Sequence, residues 1–342
     1  MAQLKTLFVI TIATARMIFP GTPAMQALEG EAAMSHAARS VTLDLTSERK
    51  ADARSKAECA VPDGLKVGRS VSLRIDLSAP EEPAAAPADK PEASSIPKFT
   101  IKRYWGCGDA VPEGQPKVSA STDIPAGTGA AQDPTTSWML TGSNAFWPFD
   151  EQKPIAADAS AVGTYTLSTN YCGGSTVTLD ADQDFLAPID ISDLGKNIDL
   201  DKPIKVSWKS VPNAVAYVLN AYGGNSSETV TWTSSANPDA AAEFEYQPLT
   251  KEALDSSVRK NILLPAQTTS CTIPAGIFKG CASAMLTIIA LGRDKVQEKD
   301  GIRTEVVIRS NASLPLYSTP YISPMELEEQ SKPHVVDEDE GT

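Results

Sequence analysis

A chain of 342 residues has room for two ordinary domains and a tail. Its formal net charge of −13 argues against nucleic acid as a partner, because phosphate recognition needs a clustered excess of Lys and Arg. Met325 to Thr342 alone holds seven acids and one Lys, so the acidity belongs mostly to a solvated tail and to linkers rather than to a focused site.

In chain order, Lys5 precedes an apolar run from Leu7 to Ala15, followed by Pro20, Gly21, Pro23 and small residues ending at Ala24 or Ala27. That is the outline of a secretory signal peptide over residues 1–27, and it predicts export to the periplasm or the extracellular space. No later stretch is long enough to span a bilayer as a helix. Residues 28–78 carry two alternating runs, Val41 to Leu45 and Val71 to Leu77, which read as a small β segment that docks onto a later domain or a partner. Residues 79–98 are rich in Pro, Ala and acids, without an apolar period, and read as a linker.

The β pattern returns at Phe99, where Phe99, Ile101 and Arg103 face one way and Thr100, Lys102 and Tyr104 the other. A Pro- and Gly-rich excursion then leads to a hairpin, Tyr165 to Val177, broken at Gly173-Gly174. From Ile204, alternation through Trp208, a Val211-Pro212-Asn213 turn, an apolar run from Ala214 to Tyr222 and a β-branched run from Thr229 predict three consecutive strands. Tyr217 to Val230 echoes the earlier hairpin, which leaves open either a domain duplication or two independent hairpins. Asn237-Pro238-Asp239 signals one short helix, and Thr250 caps another with Leu254 and Val258 on one face. Ala284 to Leu291 is eight residues of apolar run, suited to a buried central strand, and Thr304 to Arg309 predicts a further one.

The chemistry-bearing residues are sparse. The two histidines, His36 and His334, lie in the segments with the least pattern, so a Ser-His or Cys-His nucleophile has no base, and no GxSxG, HExxH or phosphate-cradling loop is present. No cofactor motif occurs. Asp180, Asp182 and Asp184 match the first ligands of a calcium loop, but Phe185 stands where Gly is needed and Ile191 where a bidentate Glu is needed. A different calcium loop and a plain acidic turn both stay open. A hydrolase using two carboxylates leaves no linear signature and stays open as well. Trp105, Trp138 and Trp147 sit beside Gly- and Pro-rich segments, where rings could stack on glycans or grip a peptide, or simply anchor loops; Trp208 reads as core. Of five cysteines, Cys271 with Cys281 and Cys107 with Cys172 are candidate disulfides, leaving Cys59 free; buried thiols are the alternative.

The inward Trp208, the Pro turn and Ala-x-Ala-Tyr-Val-Leu resemble the B to C segment of fibronectin type III and related immunoglobulin-like sandwiches, and Tyr165 after Gly163 resembles their tyrosine corner. The combination IKRYWGCG, GQPKV, TLDADQDF, VSWKSVPNAVAY and TTSCTIPAGIF is similar to a group of uncharacterised exported proteobacterial proteins, a likeness that implies an envelope location and no activity. The expectation is a mainly β protein of two immunoglobulin-like or fibronectin III-like β-sandwich domains, residues 99–196 and 197–323, with short helical insertions and a disordered tail over residues 324–342. The expected role is non-catalytic protein binding or structure in the bacterial envelope, through envelope proteins or self-association. Glycan binding and a carboxylate-dependent hydrolase are the alternatives.

Overall fold

The computed structural model describes residues 5–18, 37–77, 99–120, 142–149, 155–192, 194, 198–225, 227–239 and 243–317. In chain order the strands are β1 (Thr6–Met17), β2 (Ala38–Ser47), β3 (Ala57–Ala60), β4 (Ser70–Ser72), β5 (Arg74–Asp76), β6 (Thr100–Trp105), β7 (Lys117–Ala120), β8 (Ser143–Trp147), β9 (Gly163–Thr169) and β10 (Gly174–Leu179). They continue with β11 (Ile204–Ser207), β12 (Ala216–Gly224), β13 (Glu228–Thr233), β14 (Leu264–Pro265), β15 (Ser270–Ile273), β16 (Ser283–Leu291), β17 (Lys295–Lys299) and β18 (Ile302–Tyr317). Among the described residues there is one α-helix, α1 (Lys251–Arg259).

A twelve-stranded mixed sheet runs in the order β5-β8-β2-β1-β18-β16-β12-β13-β6-β7, with β14 beside β12 and β17 beside β18. At its middle β1 pairs antiparallel with β2 and parallel with β18, in register from Thr6↔Ile302 to Met17↔Ser313. The alternation of β1 explains the place it takes: Phe8, Ile10 and Ile12 are fully buried, each stabilising the fold by about 1.5–3 kcal/mol. A four-stranded sheet, β10-β9-β3-β4, and a two-stranded sheet, β11-β15, supply the facing layers. Phe8 of the large sheet, Leu167 of the four-stranded sheet and Val206 of the two-stranded sheet belong to one continuous core.

The three strands read around Trp208 form as β11, β12 and β13, and Ala284 to Leu291 is the buried interior strand β16. Trp208 is buried against Tyr217, ring centroids 5.4 Å apart, and the Tyr217 hydroxyl accepts the Val211 N–H at 2.9 Å. Tyr165 makes the expected corner, its buried hydroxyl donating to the Ala161 carbonyl at 3.1 Å. Gly163 just before it has φ +129°, and a Cβ there would stand 2.9 Å from Pro62, so both backbone and space require glycine. Thr250 caps α1 through the Ala253 N–H at 3.3 Å, and Leu254 and Val258 pack on a second, smaller cluster over Val218, Ile289 and Leu291.

Strand pairing groups the chain differently from the expected division. The run from Leu7 to Ala15, read as the apolar segment of a signal peptide, lies within β1, and cleavage at Ala24 or Ala27 would remove this strand from the middle of the large sheet. The runs near residues 41–45 and 71–77 do not pair with each other: β2 lies between β1 and β8, whereas β4 pairs with β3 and β5 with β8. The range 99–196 is not a unit of pairing either. Its β8 joins β2, its β9 joins β3, and its β6 adds in parallel to β13. Alternation marks a strand without naming its neighbour, and here the neighbours are distant in sequence. The hairpin echo is also local: the first turn separates β9 from β10, whereas Gly223 and Gly224 lie inside β12 and pair with Val230 and Thr229. The proposed linker at 79–98 and the tail at 324–342 lie outside the described residues.

Candidate interaction face

The side of the large sheet turned away from the core is buried at one end and half-buried at the other, where Tyr222 and Lys117 are exposed. The covered end lies under α1, where Ala216, Val218, Ile289 and Leu291 are buried. Farther along the same strands, register places Met285, Tyr222, Thr231, Arg103 and Lys117 in one row across five strands, with all side chains on this outer side. Tyr222 is 59% exposed. At the end of the row Asp239 accepts Lys117 Nζ at 3.0 Å and Arg103 Nη1 at 3.2 Å, which ties the β6–β7 hairpin to the residues after β13. The Lys117 hydrogen bond, with Arg103 adding to it, holds the Asp239 carboxyl below the usual carboxylate range. Asn220, Thr233 and Trp105 form the next row on the same side. The chemistry offered is a half-buried pleated row with one exposed aromatic ring and an ion-paired margin.

What covers the other end is held by a buried ion pair. Asp294 and Arg309 meet at 2.7 Å, their side chains 1% and 2% exposed. The guanidinium also donates to the carbonyls of Phe244 at 2.7 Å, Gln247 at 2.7 Å and Ile308 at 2.8 Å, so all five of its N–H groups are used. Asp294 additionally accepts the backbone N–H groups of Leu249 and Ile308, both at 2.9 Å. Burial pushes the Asp294 carboxyl up, against the pull of Arg309 and of those two N–H groups. Between α1 and residues 291–296 lies a groove of about 430 Å³. The cations at its rim are already engaged, Lys251 with Asp255 at 3.1 Å, Arg293 with Asp182, and Lys295 with the Thr178 carbonyl at 2.6 Å. These contacts make the groove a packing feature.

The acidic triplet does not converge. Asp180 caps the 3-10 turn Ala181–Gln183, Asp182 pairs with Arg293, and Asp184 accepts Ser160 Oγ and the Ala161 N–H, both at 2.7 Å. Each carboxylate serves a different neighbour, and among the described residues no group of three His, Cys, Asp or Glu side chains is placed to hold a metal. Trp105 ends β6 and Trp147 ends β8, with six strands between them in the sheet order, roughly 34 Å measured along the sheet at ordinary strand spacing. They form no common platform, and Trp138 lies outside the described residues. The cysteines pair otherwise than expected: Cys107 bonds Cys271, while Cys59, Cys172 and Cys281 are buried thiols. Cys107 follows a β6 that lies along β13, and the Gly108 N–H to Thr272 carbonyl bond at 2.9 Å brings that segment to β15, beside Cys271. Burial pushes the Cys59 thiol up to about 12.

Sequence reasoning missed Asp294 and Arg309. The available signal was an arginine at the end of the apolar run Val306 to Ile308. Neither protein-family models nor curated proteins give a match to the chain. Among the described residues no helix is long and apolar enough to cross a membrane.

Proposed function

We propose that the chain is a non-catalytic structural and protein-binding element of the bacterial envelope, built from two immunoglobulin-like sandwiches. The sandwich reading is supported by strand order. β1-β2-β8-β5 opposite β10-β9-β3-β4 corresponds to A-B-E-D opposite G-F-C-C′, with Tyr165 on strand F. β11-β15 opposite β13-β12-β16-β18 corresponds to B-E opposite C′-C-F-G of a fibronectin III-like unit, and the Ile191↔Trp208 bridge stands where strand A would meet B. The observation that carries the functional reading is the joining of the two units through β1 and β18. The boundary at which two-domain enzymes commonly place a cleft is taken up by strand pairing, and Tyr222 stands exposed on the outer side of the sheet. Export rests on the Cys107–Cys271 disulfide, which persists in oxidising compartments, and not on residues 1–27.

The test is cross-linking in native cells followed by non-reducing mass spectrometry, comparing the wild type with Tyr222→Asp. The substitution sits at an exposed position and should leave the fold intact. Specific protein partners in the envelope fraction, cross-linked to residues 216–233 or 283–291 and lost in the variant, are expected. A cytoplasmic protein with all thiols reduced, or partners unaffected by Tyr222→Asp, would overturn the reading. Glycan binding keeps one supporting observation, since Trp105 and Tyr222 share a face with only β13 between their strands. Retention on a glycan array that is abolished by Tyr222→Ala would favour it over protein binding.

A further inference from the structure

β1 and β18, the first and last described strands, lie side by side and parallel over twelve register pairs. Parallel direction puts the start of β1 beside Ile302 and carries the end of β18 past Ser313 to Tyr317, at the opposite end of the ladder. Tension entering before Thr6 and leaving after Tyr317 therefore drags the two strands in opposite directions along their common axis. Bonds in a parallel pair are evenly spaced, so such a pull loads the whole ladder at once; an unzipping pull breaks the bonds one after another.

Three further features oppose sliding. Neither strand is at an edge, because β2 flanks β1 and β16 flanks β18, so neither can peel away sideways. A slip of one residue would turn the inward residues of β1 to the other face, taking Phe8, Ile10 and Ile12 out of the core. Thr14 Oγ1 donates to the Leu186 carbonyl at 2.8 Å, a bond from β1 to the segment between β10 and β11 that any axial slip must also break. We infer that the β1–β18 ladder is a mechanical clamp, resisting tension that enters before Thr6 and leaves after Tyr317. The inference is independent of the partner-binding reading, since it needs no particular ligand and the Tyr222 face plays no part in it.

Single-molecule pulling on the full chain tests it by changing only the direction of force. One set of handles is attached at the two chain ends. The other set joins the amino end to a handle at Asp300, an exposed turn residue beside the start of the ladder, where the Lys5 N–H donates to the Gly301 carbonyl. The same fold is then sheared in the first geometry and unzipped in the second. A several-fold higher unfolding force end to end is expected, because forced unfolding reads the barrier along the pulled direction. Equal forces in the two geometries would overturn the clamp. Asn311→Pro removes one ladder N–H from the middle of β18, where the alternation turns the odd-numbered N–H groups toward β1, and should lower the end-to-end force. An end-to-end force unchanged in a folded Asn311→Pro protein would place the resistance elsewhere and overturn the assignment. The geometry comparison uses the native sequence and stands even where that variant does not fold.

Discussion

Replacing Arg309 by Met removes a guanidinium that donates to Asp294 and to three carbonyls, in a site where both charged side chains are at most 2% exposed. The Asp294 carboxylate keeps only the Leu249 and Ile308 N–H groups and becomes a buried charge without a counter-ion. Breaking one side of such a pair costs about 3–5 kcal/mol, most of it the penalty of the charge left behind. Asp294→Leu alone leaves the arginine buried and unpaired and should cost a similar amount. Arg309→Met combined with Asp294→Leu removes both charges and should cost far less than the two single variants together. Denaturant unfolding, followed by fluorescence and far-UV circular dichroism, measures all four members of the cycle. A single variant within about 0.5 kcal/mol of wild type, or a double variant as unstable as the sum of the singles, would refute the assignment of this pair as the clasp of the α1 layer.

Tyr165→Phe leaves the buried Ala161 carbonyl without its 3.1 Å partner and should cost about 1–3 kcal/mol in the same assay. Non-reducing peptide mapping should recover Cys107 joined to Cys271, and Cys271→Ala should lower stability by about 2–5 kcal/mol because the bridge closes a span of 164 residues; a Cys271–Cys281 peptide would contradict the assignment. With its thiol pushed up to about 12 by burial, Cys59 should resist alkylation at neutral pH in the folded protein and react on unfolding, as mass spectrometry would read. The depressed Asp239 carboxyl stabilises the fold above the unfolded carboxylate range, and that contribution is lost as pH falls through its folded value. Hydrogen exchange in β7 should therefore rise under acid more in the wild type than in Asp239→Asn, and equal profiles would refute the tie.

Elements whose causes are local were legible in the sequence. Alternation gave β11, the apolar runs gave β12 and β16, the Thr250 hydroxyl gave the start of α1, and Tyr165 after Gly163 gave the corner. Pairing was not legible, because it depends on which distant strand offers a matching face. The run from Leu7 to Ala15 has the composition of a signal peptide and also of a central strand, and only the alternate burial of Phe8, Ile10 and Ile12 separates the two. The disulfide failed to be read for a related reason: spacing along the chain brought Cys281 near Cys271, whereas the path from β6 to β15 brings Cys107 within 5.5 Å, Cα to Cα. The outer face followed in part. Trp105 was singled out, but Tyr222 looked like one more apolar residue of a buried strand until register turned it outward.

The pairing of β1 with β18 also sets when this protein can finish folding. Thr6 leaves the ribosome well before its neighbour Ile302, which follows roughly 15–60 s later at 5–20 residues per second. Throughout that interval β2 is the only one of its two final neighbours that β1 can meet, and the other side of an apolar strand lies open to other chains. Closing so long a loop late makes assembly slow and prone to aggregation. Production of this chain should therefore be limited less by its equilibrium stability than by whatever shelters β1 until β18 arrives.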